Sequence, residues 1–110
     1  MSFDLNLRFI FLSTLLISLL QVHIATADVG IIIKRFNSCD YFIADGENGL
    51  YVLEWYGGYD PSEGDRIIGE IDSYGMQDVF YPDIGSDGTV WVEDFLESSD
   101  AAIDEIRDHC

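Results

Sequence analysis

Between Val29 and Phe95 the chain consists almost entirely of short runs of β-branched and aromatic residues, each closed after a few positions by Gly, Asp, Asn or Pro. That punctuation marks strands joined by turns, and it contains neither an internal repeat nor a linker-like stretch. Strands are expected at about residues 29–36, 40–45, 50–56, 66–72, 76–81 and 89–95. The most informative connection is Gly46-Glu47-Asn48-Gly49, because Asn-Gly tolerates the positive φ angles of a type I′ hairpin turn. Whether the loop has two residues or four, even positions of the first strand oppose odd positions of the second. Phe42 and Ala44 therefore share an inward face with Tyr51, Leu53 and Trp55. The other face carries Tyr41, Ile43, Val52 and Tyr56 with Asp45 and Glu54, a mixed surface that needs a cover or a ligand.

The period changes after Phe95. Ser99 is the expected N-cap of a helix with Asp100 in its first turn, and Ile103, Ile106 and Cys110 fall on one stripe. An isolated helix of this length is marginal in water, so it must dock. Cys110 supplies a tether. The chain has two cysteines, Cys39 and Cys110, with no CxxC pair and no basic neighbours to make either a reactive thiol. They are expected to form a disulfide. Cys39 has the parity of Tyr41 and Ile43, so the bridge brings the helix over the outer face of the hairpin.

The start of the chain has the layout of a secretory signal. Arg8 and the amino terminus precede an apolar run from Phe9 to Leu20, and Ala25-Thr26-Ala27 offers the small-x-small cleavage site. The apolar run is about 12 residues against the roughly 20 that span a bilayer. Residues 1–27 are therefore read as a signal peptide, and residues 28–110 as one exported domain, secreted or periplasmic, with no membrane span after cleavage. Of the 21 acidic and 5 basic residues, 20 and 4 lie in this domain, and its net charge is the −16 of the whole chain. Nucleic acid is excluded as an expected partner, since binding a polyanion depends on Lys and Arg neutralising phosphates. A basic protein is the partner that such a surface would steer.

The stretch Gly64-Asp65-Arg66-Ile67-Ile68-Gly69-Glu70-Ile71 has the form GDxIxGxI. It resembles the turn and strand of OB-fold and S1-like barrels, and the chain is also similar to uncharacterised secreted bacterial barrels. The resemblance implies an all-β fold: a small barrel of five or six strands, OB-like with an SH3-like alternative, here closed by the C-terminal helix. The oligonucleotide ligand of OB-folds is not carried over, because the chain lacks their basic groove.

Three constellations bear on chemistry. Asp83 to Asp94 partly fits a calcium loop, with Asp83, Asp87 and Asp94 at ligand positions 1, 5 and 12 and Gly88 at the turn position. Gly85 stands where a third ligand belongs, and Pro82 argues against an incoming helix, so calcium is the alternative reading. A catalytic site is not expected: the exported domain has one histidine, His109, and one lysine, which leaves no Ser/His or Cys/His pair. Histidine and cysteine are also too few for a transition-metal site, and no cofactor is expected. The aromatic run Trp55-Tyr56-Gly57-Gly58-Tyr59 ends a strand and enters a glycine-rich loop, and Trp55, Tyr56 and Tyr59 are the candidate contact residues. The expected function is that of a non-catalytic binding module, with the calcium-dependent module as the alternative and a small hydrolase last.

Overall fold

The computed structural model describes residues 27–96 and 98–110. The signal-peptide reading of residues 1–27 lies outside them except for Ala27. Six strands, β1 (Asp28–Arg35), β2 (Tyr41–Gly46), β3 (Gly49–Gly58), β4 (Arg66–Gly69), β5 (Gly75–Tyr81) and β6 (Ser86–Leu96), precede one helix, α1 (Ser99–His109). The strands close into a barrel in the order β1-β2-β3-β6-β5-β4, every pair antiparallel. The fold is a small all-β barrel with a C-terminal helix, as the strand punctuation and the GDxIxGxI resemblance both imply. Strands β1 to β3 form a meander and β4 returns beside β1, which is a Greek-key arrangement. Closure leaves the sheet no open edge.

The hairpin has the expected parity. Phe42 pairs with Leu53 and Ala44 with Tyr51, and all four are buried in the barrel interior with Ile32, Ile67, Ile71, Val79, Tyr81, Val90 and Val92. The turn itself differs from expectation. Its two loop residues are Glu47 and Asn48, between the pair Gly46 and Gly49, and only Gly49 has a positive φ, 125°. The handedness is therefore taken up by the glycine that opens β3, and Asn48 stays in an ordinary conformation.

The two glycines of the GDxIxGxI segment have separate local roles. Gly64 turns the chain with φ 95°, and a Cβ on Gly69 would stand 2.8 Å from Val79 Cγ1 and 2.9 Å from the Asp78 carbonyl oxygen. Only glycine lets β4 approach β5 this closely.

Helix α1 begins one residue earlier than expected. Ser98 is the N-cap, its hydroxyl accepting a hydrogen bond from the Ala101 amide at 3.3 Å. Ala102 and Ile106 are buried against Tyr41, Ile43 and Val52, with Ile103, Leu50 and Leu96 packed at the margin. A second apolar core thus covers the outer face of the hairpin. Cys39 and Cys110 are bridged, with Cα atoms 5.8 Å apart. Among the described residues no helix is long and apolar enough to cross a membrane.

Candidate functional site

The candidate trio Trp55, Tyr56 and Tyr59 is divided by the fold. A bulge between Trp55 and Gly57 shifts the β3/β6 register, and Gly58, with φ 76°, turns the chain directly afterwards. Trp55 faces the core, and its indole Nε1 donates to the Tyr59 carbonyl oxygen at 3.2 Å. Tyr59 folds back over the barrel end, where its ring meets Tyr81 edge-on with centroids 5.1 Å apart. Its hydroxyl donates to Asp65 at 2.8 Å, a bond that holds the phenol above its ordinary pKa, with burial adding to it. Trp55 and Tyr59 are thus part of the plug of the barrel. Tyr56 is left alone on the outside.

The plug has a second half that the sequence did not disclose. Along β1, Ile31 and Ile33 point outward; a bulge between Ile32 and Lys34 then resets the alternation, and Arg35 pairs with the inward residue Phe42. Arg35 consequently enters the barrel mouth with only 11% of its side chain exposed. Its Nη1 donates to the carbonyl oxygens of Phe36, Cys39 and Tyr41 at 2.7, 2.8 and 3.2 Å, and its Nε donates to Asp60 at 2.9 Å. Tyr81 lies fully buried nearby, and its hydroxyl finds no hydrogen-bond partner among the described residues. Burial drives its pKa upward, and the carboxylates of Asp60 and Asp65 push the same way. Above this layer a polar cleft of about 500 Å³ is lined by Arg35, Asn37, Asp60, Pro61, Ser62 and Glu63.

On the outer wall, Tyr56 shares its face with Trp91 and Met76. Register places Glu54 opposite Trp91 on β6 and Trp91 opposite Met76 on β5, and Tyr56 is two residues along from Glu54. Tyr56, Trp91 and Met76 are 54%, 38% and 47% exposed. The outward residues around them on the same strands include Glu54, Asp78 and Glu93. This strip adjoins the area covered by α1, so the helix hides Tyr41 and Ile43 and stops short of Trp91. A separate outward row, Val29, Ile68 and Phe80, runs across β1, β4 and β5.

The calcium candidates are not brought together. Asp83 belongs to the turn after β5 and binds Arg66 through a two-point contact, Nη2 to Oδ1 at 2.6 Å and Nε to Oδ1 at 3.0 Å. Arg66 holds the Asp83 carboxyl below its ordinary pKa. Asp87 and Asp94 both lie on β6, opposite Phe80 and Val52. Seven residues of strand at about 3.3 Å each separate them by roughly 23 Å, too far for one ion. Residues 83–94 are a turn and a strand, because Thr89 to Glu93 alternate into the barrel wall instead of curling around an ion.

One set of metal-capable donors does converge among the described residues: Glu93 on β6 with Glu105 and His109 on α1, their ligand atoms all within 4.8 Å of one another. His109 Nε2 stands 3.4 Å from Glu93 Oε1 and 3.8 Å from Glu105 Oε1. Counting histidines and cysteines missed this group. The legible signal was the i, i+4 spacing of Glu105 and His109, which puts both on one helix face.

The chain matches no known protein family, no curated protein and no solved structure.

Proposed function

We propose that the protein is an exported, non-catalytic interaction module that receives a basic partner on the strip formed by Tyr56, Trp91 and Met76. The carrying observation is that these large apolar side chains lie exposed on the outer face of the neighbouring strands β3, β6 and β5, among Glu54, Asp78 and Glu93, while α1 covers the neighbouring apolar face. Tyr and Trp supply most of the energy of protein interfaces when they sit in the middle of a polar rim. Glu54, Asp78 and Glu93 would form that rim here, and a net charge of −16 favours a partner rich in Lys and Arg over nucleic acid. Export is supported by the point at which the barrel begins. Strand β1 opens at Asp28, the residue that cleavage after Ala27 would leave first. The disulfide is consistent with an oxidising compartment, secreted or periplasmic. The OB-fold-like identity rests on the turn at Gly64 and the close approach at Gly69.

An array of peptides that combine Lys or Arg with an aromatic or aliphatic residue tests this reading. Retention is expected to be salt-sensitive and to fall more than about tenfold in Trp91→Ala and in Tyr56→Ala, as for central interface residues. Phe80→Ser, on the other outward row, is expected to leave it unchanged. Retention indifferent to Trp91→Ala, or dependent on Phe80, would reject the strip.

A further inference from the structure

We propose that Glu93, Glu105 and His109 form a zinc(II) site that fastens α1 to β6. The donor set is one imidazole nitrogen and two carboxylate oxygens, which suits zinc with a fourth position left to water. Zinc lies about 2.0–2.2 Å from such ligands, so a tetrahedral site requires donor atoms roughly 3.3–3.6 Å apart. His109 Nε2 and Glu93 Oε1 already stand at 3.4 Å; Glu105 Oε1, 3.8 Å from the imidazole and within 4.8 Å of the Glu93 donor oxygen, has to move inward by side-chain rotation to complete the site. Calcium and magnesium take all-oxygen shells and would gain little from the nitrogen.

The backbone holds the donors in place. Glu93 is the extra residue of a bulge: Val52 pairs with Asp94 and Leu53 with Val92, which leaves Glu93 outside the ladder and aimed away from it. Glu105 and His109 lie one turn apart on a helix whose buried Ile106 and bridged Cys110 fix its last turn. The imidazole is itself stacked on Tyr41, ring centroids 5.0 Å apart and planes 20° from parallel, which sets the direction of its nitrogen lone pair.

The surroundings are electronegative. The carboxylates of Glu93 and Glu105 converge there, their donor oxygens within 4.8 Å of each other, and like charges at that spacing repel. A divalent cation would relieve that repulsion while joining helix and barrel beside the disulfide. The site shares only Glu93 with the rim of the Tyr56–Trp91 strip, and none of its donors belongs to the strip's apolar residues.

Calorimetric zinc titration of the chelator-treated whole chain, with His23→Ala to leave His109 as the sole imidazole, tests the site. One zinc per chain is expected, with a displaced His109 nitrogen resonance. Glu93→Gln, isosteric and therefore least disturbing to the fold, should weaken binding at least about tenfold, and so should Glu105→Gln and His109→Ala. Asp87→Asn, elsewhere on β6, should not. Absence of saturable binding, or zinc binding that survives both His109→Ala and Glu93→Gln, overturns the site. Melting of each variant in chelator separates lost binding from lost fold, and Glu93→Gln with an unchanged melt and unchanged zinc affinity also overturns it.

Discussion

Cys110, the C-cap of α1, is bridged to Cys39, which lies 71 positions earlier in the turn between β1 and β2. The bridge joins the last residue of the cover to the edge of the surface it covers, since Tyr41 and Ile43 follow Cys39 directly and pack under Ala102 and Ile106. Closing so long a loop removes conformational freedom from the unfolded chain, worth roughly 4 kcal/mol in the chain-entropy account. Reduction is therefore expected to lower the melting temperature by on the order of 15–30 °C in a domain of this size. Calorimetry with and without reductant checks it. A shift of a few degrees would mean that the unfolded chain is already compact or that the helix docks without its tether.

Tyr51 is the second link between distant parts of the barrel. Its hydroxyl donates to the carboxylate of Asp28, a buried group whose other partner among the described residues is the Val29 amide at 2.9 Å. Tyr51→Phe keeps the ring and its edge-on packing against Phe95, 5.4 Å between centroids, but leaves Asp28 short of a donor. The expected cost is about 1–3 kcal/mol, read from urea unfolding. A neutral result would show that water reaches Asp28 at the end of β1.

The hairpin faces were legible because strand alternation is a local rule: once Phe42 points inward, Ala44, Tyr51 and Leu53 follow. The cover over Tyr41 and Ile43 was legible through the parity of Cys39. The bulges were not, because they depend on how two strands meet. The one at Ile32–Lys34 turns Arg35 into the barrel mouth, and the one at Trp55–Gly57 separates Tyr56 from Trp55 and Tyr59. The helix cap slipped from Ser99 to Ser98 because adjacent serines are chemically equivalent and only the docked helix selects one. Of the Glu93, Glu105, His109 group only the i, i+4 pair Glu105 and His109 was legible; the approach of Glu93, like the outward strip, joins residues on separate elements and depends on the docked fold.

Alkaline pH should destabilise the fold. Burial raises the Tyr51 hydroxyl to about 12, the bond to Asp28 adding to the rise, and Tyr41 likewise reaches about 12. In the unfolded chain both phenols ionise near 10. The folded state therefore holds more protons between about pH 10 and 12, and stability falls as pH rises through that window. Below pH 10 the contribution is fully present. Unfolding free energy measured from pH 8 to 12 should decline above 10, and Tyr51→Phe should flatten the decline. An undiminished slope in that variant would assign the effect to Tyr41 and Tyr81 instead.

Arg35 offers the most demanding test, because it acts on the same turn as the disulfide. Its guanidinium ties the carbonyls of Phe36, Cys39 and Tyr41 together and reaches Asp60 on the β3–β4 crossover. Arg35→Ala would leave the Cys39 carbonyl and Asp60 without the guanidinium, while the Phe36 and Tyr41 carbonyls keep the amides of Cys39 and Phe36, at an expected cost of about 2–4 kcal/mol. Arg35→Lys should recover little, since one ammonium cannot reproduce a planar fork that serves carbonyls on one side and a carboxylate on the other. The turn that Arg35 shapes presents Cys39 to Cys110, so the substitution and the loss of the bridge should not be independent. In a cycle of Arg35→Ala with Cys39→Ala/Cys110→Ala, the two costs are expected to sum to more than the cost of the combined variant, by about 0.5–3 kcal/mol. Strict additivity would show that the bridge and the guanidinium hold separate parts of the barrel end, and that the plug is not one cooperative unit.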